Sequence, residues 1–122
     1  RQNKDKIMTS LRSLPVEWRQ TPRGSEQSND TIAMRLSDQA TAARVANHLS
    51  DQGVATKNLP SALRWHFAGC WPHLFSETAQ RWSKSEDLLR RTIALGVNVI
   101  MTDGEIENLC MRVRYALDEV LP

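Results

Sequence analysis

Residues 31–56, TIAMRLSDQATAARVANHLSDQGVAT, decide the fold. Residues 31–36 alternate large apolar side chains with Thr, Ala and Arg, which predicts a β-strand with one buried face. Residues 39–51 carry apolar side chains at helical spacing and predict an amphipathic helix. Residues 54–56 are a candidate for a second short strand. The stretch is therefore predicted to form a strand–helix–strand unit.

Local signals fix both ends of this helix. Ser37 or Asp38 can cap its first turn, because a short polar side chain accepts hydrogen bonds from the free backbone N–H groups there. Gly53 suits the left-handed residue that closes many helices. The predicted apolar face consists of Ala42, Val45, Ala46 and Leu49.

A further amphipathic helix is predicted over residues 2–13, ending before Pro15. Its apolar face needs a partner in this chain or outside it, and we expect that face to be exposed here. Residues 16–18 are a short extended segment, and the polar residues 21–30 predict a surface loop. The chain starts within the helical pattern and without methionine, so we expect a processed or truncated product.

The C-terminal third predicts a capped turn or short helix over residues 85–90 and a strand over residues 92–97. Thr102 and Glu105 form a capping box at the start of the last helix. One face of that helix is apolar throughout: Ile106, Leu109, Cys110, Val113, Leu117, Val120 and Leu121.

Few strands mixed with helices predict an α+β fold: a two-layer sandwich with a small, mainly antiparallel sheet and helices packed on one face. At 122 residues the chain is expected to be one domain. Within it, residues 1–15 are interpreted as an interdomain type of helix and residues 31–122 as the small α+β domain.

The composition is that of an ordinary globular protein, with 40% hydrophobic and 25% charged residues. A net charge of +2 is too small to favour nucleic acid or an anionic membrane as a partner. Two cysteines make no disulfide framework, and a cytoplasmic protein is expected. Cys110 is expected to be a buried thiol. The arginine pairs 90–91 and 112/114 are interpreted as solvated helix faces, with an interdomain or dimer contact as the alternative.

The segment 57–75, KNLPSALRWHFAGCWPHLF, is the candidate site. It holds two of the three histidines, two of the four tryptophans and one cysteine, and no single period runs through it. Such a segment predicts a shaped loop, and rigidly held loops often carry function. A helix is expected to begin near Pro72 and continue over residues 76–82. The alternative is that the aromatic side chains only pack in the core.

A zinc site is a competing interpretation of the same segment. His66, Cys70 and His73 have the spacing H-x3-C-x2-H, and imidazole and thiolate are zinc ligands. A structural zinc site uses four ligands in tight pairs, and only Cys110 or His48 remain to complete it. No metal is therefore expected.

Several segments together resemble the C-terminal small domain of the DegT/DnrJ/EryC1 family of sugar aminotransferases, which depend on pyridoxal phosphate (PLP). They are RQNKDKIMTSLRSLP, DQGVATKNLP, ALRWHFAGCWPHLF and SEDLLRRTIALGVNVIMTDGEIENL. The Trp-His-Phe-Ala-Gly and Trp-x-His pieces are most similar to the branch that makes an amino derivative of the lipopolysaccharide sugar Kdo. Two features depart from the family: Gly96 stands where proline is usual, and residues 21–29 are more polar and less regular.

The resemblance implies that the cofactor site lies in a large N-terminal domain. A PLP aminotransferase needs a lysine for its Schiff base, an acidic partner for the pyridine nitrogen and donors to the phosphate. None of the lysines is in the strand-to-loop context of the family's catalytic lysine: Lys4, Lys6, Lys57 and Lys84. No catalytic or cofactor-binding residue is therefore assigned here, and the chain alone should not transaminate.

The same resemblance implies that the candidate site borders the substrate cleft between the two domains. Cationic side chains would meet carboxylate or phosphate oxygens, histidines would bind sugar hydroxyls, and a tryptophan would cover the sugar ring. The residues expected to bind substrate are Lys57, Arg64, Trp65, His66, Trp71 and His73.

Two hypotheses remain open. The first is a fragment of a keto-sugar aminotransferase whose partners are a missing large PLP domain and the sugar. The second is a stand-alone α+β binding or interaction module with an aromatic–histidine ligand loop. A homo-oligomer such as a dimer fits both, because self-association would cover an exposed apolar helix face.

Overall fold

The computed structural model describes residues 1–56, 67–71, 73 and 82–122. In this part of the chain, four α-helices accompany a three-stranded sheet, and one 3-10 turn spans Ala68–Cys70. In chain order the elements are α1 (Gln2–Leu11), β1 (Glu17–Trp18), β2 (Thr31–Arg35), α2 (Gln39–Asp51), α3 (Ser83–Arg90), β3 (Thr92–Gly96) and α4 (Asp103–Asp118).

The sheet has the order β1-β2-β3 and is antiparallel throughout. Trp18 pairs with Met34 on one side of β2, and Ala33 pairs with Ala94 on the other. The period-two pattern decides which side faces inward: Ile32 and Met34 are buried, while their neighbours along β2 are half-buried.

Helix α4 packs against both α1 and α2, while α1 also contacts β2 and α2 contacts β3. Their apolar stripes meet those of β2 and β3 in a single core, as the helical and strand periods require. The largest fully buried side chains are Ile7, Leu11, Met34, Leu49, Ile93, Leu95, Leu117, Val45 and Val113. The expected α+β class, with helices on a small antiparallel sheet, is confirmed.

The predicted starts of α2 and α4 are confirmed, whereas α3 begins at Ser83, two residues before its predicted start. Asp38 caps α2, its carboxylate accepting from the backbone N–H of Thr41 at 2.8 Å. Thr102 and Glu105 form the complete capping box of α4. Gly53 follows α2 with a positive φ of 71°, a conformation that glycine adopts without the strain of a Cβ.

The strand expected over residues 54–56 is wrong. The backbone N–H of Val54 donates to Leu49 O at 2.8 Å and so helps to close the end of α2. Of residues 54–56, Thr56 alone pairs with the sheet, through an isolated antiparallel bridge to Leu95. The backbone N–H of Val54 is therefore not available for pairing with a neighbouring strand.

The apolar face of α1 is not exposed, which corrects the expectation for residues 2–13. Ile7 and Leu11 are 0% exposed and belong to the core of this chain. Lys4 is also largely buried as a residue, and its amine donates to Ser28 O at 2.7 Å. Helix α1 is thus an integral element of the described fold.

The interpretation of Arg112 and Arg114 as a solvated helix face is wrong. Each is a brace, meaning that its guanidinium donates to a backbone carbonyl in or next to another helix. Arg112 Nη1 donates to Gln52 O at 2.6 Å, just after α2, and Arg114 Nη2 donates to Ser10 O in α1. Both are half-buried, because α4 lies between the two helices that they reach. Arg90 lies on the surface of α3, where it pairs with Glu86 at 2.8 Å.

Cys110 is buried on the inner face of α4, as expected. Among the helices that the structure describes, none has the length and apolar character needed to cross a membrane. The helix expected near residues 76–82 lies outside the described residues, apart from Trp82.

Candidate functional site

The segment predicted to bind substrate is only partly described. Lys57, Arg64, Trp65 and His66 lie outside the described residues. Trp71 is half-buried and His73 is exposed.

Trp71 is positioned by the 3-10 turn at Ala68–Cys70. The backbone N–H of Trp71 donates to Ala68 O at 3.1 Å, and that of Cys70 donates to Phe67 O at 2.9 Å.

The zinc interpretation gains no support from the described ligands. Cys70 is a half-buried free thiol and His73 is exposed. Within residues 1–56, 67–71, 73 and 82–122, no three His, Cys, Asp or Glu side chains are grouped so that they could hold a metal ion. His66 lies outside these ranges, so the full H-x3-C-x2-H set is untested.

A groove of about 620 Å³ lies where the candidate segment begins, and we call it the α4 groove. Val54 and Ala55 line one side of it, and the chain then passes through Thr56 to position 57. The volume is in the range of small-molecule sites, although the groove is open to solvent. Its described lining is Gly53, Val54, Ala55, Gly96, Met101, Thr102, Gly104, Glu105, Asn108, Leu109 and Arg112.

The carboxylate of Glu105 is already engaged at the edge of this groove. It accepts from the backbone N–H of Thr102 at 2.7 Å and from the Thr102 hydroxyl at 2.9 Å. These hydrogen bonds favour the ionised form, so they lower the pKa of Glu105. A carboxylate held in this way is a helix cap, not a general acid.

Among the side chains of the described lining, Asn108 and Arg112 are the further polar groups that a ligand could meet. They are four residues apart on α4 and therefore lie on the same side of the helix. Arg112 uses Nη1 for Gln52 O, and that nitrogen would be 3.8 Å from a Cβ built on Gly53. The arrangement suits binding of a polar or anionic group more than acid–base chemistry. The sequence interpretation did not single out this pair, although their i, i+4 spacing is visible in the sequence.

A second groove of about 290 Å³ runs between α2 and the start of β3. Its floor is apolar, with small alanine side chains on α2, and Arg90 is at its rim. The described lining is Gln39, Ala40, Ala42, Ala43, Ala46, Arg90, Thr92 and Ile93.

The described lysines do not fit the role of a PLP-binding residue. Burial lowers the pKa of Lys4, but its amine is occupied by Ser28 O. Lys6 pairs with Asp103 at 2.5 Å, and Lys84 is exposed on α3. No lysine is among the described residues that line either groove. No reaction step through PLP can therefore be derived from these residues.

No protein-family model matches the chain, and no curated protein does. Among solved structures, the chain is similar to a protein of Streptococcus pneumoniae assigned as a sugar aminotransferase, in its PMP form. The TM-score is 0.67 at 12% sequence identity, and the likeness covers 98% of this chain. The chain spans 30% of that protein's length. The likeness shows that this chain has the fold of one part of that protein.

Proposed function

We propose that this chain is the C-terminal, substrate-bordering domain of a PLP-dependent aminotransferase acting on a keto-sugar. The observation that carries the proposal is the likeness of nearly the whole chain to 30% of a protein assigned as a sugar aminotransferase. The DegT/DnrJ/EryC1-like segments of the sequence support the same assignment independently. Their Trp-His-Phe-Ala-Gly and Trp-x-His pieces favour a substrate of the Kdo type and a role in lipopolysaccharide sugar biosynthesis.

In this proposal the chain binds and orients the sugar. Lys57 and Arg64 neutralise its anionic groups, and His66 and His73 hydrogen-bond its hydroxyls. Trp65 and Trp71 cover the apolar face of the ring and exclude water. These roles are proposed from residue chemistry and from the family resemblance.

PLP would supply the electron sink for the transfer of the amino group. It would be held by a large domain that precedes Arg1 in a longer polypeptide. Under this proposal, residues 1–122 alone do not catalyse transamination.

The DNA upstream of Arg1 gives the first test. We expect an in-frame segment of about 250 residues, the scale of a large α/β domain, with a lysine after a buried strand. The protein that includes this segment should show a Schiff-base absorbance with PLP and transaminate a keto-sugar, whereas residues 1–122 alone should do neither. An in-frame stop followed by a start codon near Arg1 would refute the proposal.

The second test concerns the substrate. In the longer protein, Arg64→Ala should raise KM for the sugar by about tenfold or more, as expected for loss of a charge-assisted contact. Arg44→Ala, at an exposed position on α2, is the matched control and should leave KM unchanged. Micromolar stabilisation of isolated residues 1–122 by a sugar would instead favour the stand-alone binding module.

A further inference from the structure

The turn between β3 and α4 exposes two adjacent β-branched side chains. Val99 is 81% exposed and Ile100 is 79% exposed, more than the other large apolar residues found exposed in the described part of the chain. We call this pair the Val99–Ile100 tip. Single exposed apolar residues are common, but two that protrude together from a held turn need a physical reason.

The tip is anchored at both ends. Val97 is buried, and its backbone N–H donates to Asp30 O at 2.7 Å. Met101 packs against the core on the other side. The chain therefore leaves the core after Val97 and returns to it at Met101, which pushes the intervening side chains outward.

Residues 98–101 are also bound by Asn3 in the first turn of α1. The side-chain amide of Asn3 donates to three backbone carbonyls: Asn98 O at 2.9 Å, Val99 O at 3.2 Å and Met101 O at 3.3 Å. Its two hydrogens are shared among these acceptors. Within the turn, the backbone N–H of Ile100 donates to Asn98 Oδ1 at 3.1 Å.

Further along α1, Lys6 pairs with Asp103 at the start of α4. The beginning of α1 is thus tied to the segment that carries the tip at two successive points. A surface held in this way loses little conformational entropy when a partner binds, which favours recognition.

The position of Asn3 also determines what lies near the tip. Arg1 is only two residues before Asn3, so any polypeptide that precedes Arg1 emerges beside Val99 and Ile100. Attachment through this short connection gives such a domain a high effective concentration at the tip. A second copy of the chain would have no such advantage.

We infer that the Val99–Ile100 tip, held by Asn3, is a docking point for the domain that precedes Arg1, and that it inserts into an apolar depression on that domain. This inference rests on the proposed function, which supplies the preceding domain. Docking there fixes the large domain relative to the side of the fold that carries the α4 groove, because Met101 lines that groove.

Photo-crosslinking in the full-length protein tests the inference. A benzophenone amino acid at position 99 should crosslink to residues upstream of Arg1 in the same polypeptide, identified by mass spectrometry. The same probe at position 115, where Tyr115 is half-exposed on α4, is the control and should not reach them. Crosslinks from position 99 only within residues 1–122, to a second copy, or to nothing would overturn the inference.

A variant pair gives an independent readout. Val99→Ser with Ile100→Ser should lower the melting temperature of the full-length protein by several degrees, because the apolar contact with the other domain is lost. It should leave isolated residues 1–122 nearly unchanged, because both side chains are already exposed there. Met111→Ser with Tyr115→Ser, at exposed positions on α4, is the control and should change neither protein. An equal effect of the tip variant in both proteins would contradict docking.

The two proposals fail in different ways. If the full-length protein forms the Schiff base but position 99 does not reach the upstream domain, only the docking inference is wrong. If no upstream domain is encoded, both are wrong.

Discussion

Single side chains decide where the two longest described helices begin. Asp38 caps α2 and Thr102 caps α4, each by accepting from a backbone N–H that has no partner within the helix. The α4 cap is reciprocal: the Glu105 carboxylate accepts from the Thr102 backbone N–H, and the Thr102 hydroxyl accepts from the Glu105 backbone N–H. Both caps lie within three residues of their partners, and both could be identified from the sequence.

Thr102→Ala should destabilise the protein by about 1 kcal/mol, the typical cost of removing an N-cap side chain. Urea unfolding would measure it. Thr9→Ala is the matched control, because Thr9 is exposed inside α1 and bonds only backward to Asp5 O. Since alanine is the better helix former, that variant should lose no stability. Equal losses in the two variants would contradict a specific role of the cap.

Asp38 makes the stability depend on pH. Hydrogen bonds from the Thr41 backbone N–H, the Thr41 hydroxyl and the Ser37 hydroxyl lower the pKa of Asp38 to about 2. Because the folded pKa is lower than the unfolded value near 3.8, the charged cap stabilises the protein above pH 4, and this contribution is lost as the pH falls towards 2.

Asp38→Asn tests this, because asparagine is also a good N-cap but does not titrate. The urea midpoint of the wild type should exceed that of the variant at pH 6, and the difference should shrink progressively between pH 4 and pH 2. A difference that stays constant over this range would show that the Asp38 charge contributes nothing.

At the scale of elements, α1 differs most from its sequence-based prediction, because its apolar face is buried and was expected to be exposed. Its sequence shows an amphipathic helix but not the surface that covers its apolar face. The structure buries Ile7 and Leu11 against α4 and the sheet, and Asn3, Lys4 and Lys6 reach three separate segments. Helix α1 can contact another domain only through residues that remain on its outer side or near its start.

Leu11→Ala should therefore cost about 2–5 kcal/mol, as expected for a large-to-small change in a packed core. Leu88→Ala on α3 is the control, and it should stay within about 0.5 kcal/mol, because Leu88 is 42% exposed. Chemical denaturation of residues 1–122 measures both. A loss below 1 kcal/mol for Leu11→Ala would mean that α1 does not belong to this core in solution.

At the scale of the whole molecule, α1, α2, α4 and the sheet share one core. Elements that share a core unfold together, so residues 1–122 should show a single two-state transition. Circular dichroism and tryptophan fluorescence should give the same urea midpoint. Earlier loss of hydrogen-exchange protection in residues 5–11 would instead mark α1 as an independent unit, contrary to the one-domain expectation.

For the candidate site, the sequence predicts the types of side chain but not their arrangement in space. The aromatic and imidazole-rich segment stands out in the sequence, and of its predicted substrate-binding residues the structure describes Trp71, which is half-buried, and His73, which is exposed. The α4 groove was not predictable, because its walls come from Gly53–Ala55, the end of β3 and the start of α4. Nothing local in the chain shows that positions about fifty residues apart meet.

The sequence by itself determined the helix and strand periods, the caps of α2 and α4, and the left-handed turn at Gly53, because each depends on hydrogen bonds or sterics within a few residues. Only the tertiary structure decided the pairing of β2 with β3 and the burial of α1. The same holds for the hydrogen bonds of Arg112 and Arg114 to neighbouring helices and for those of Asn3 to the Val99–Ile100 tip. These contacts join residues that are distant in the chain, and they form only because burying the shared apolar faces brings those residues together.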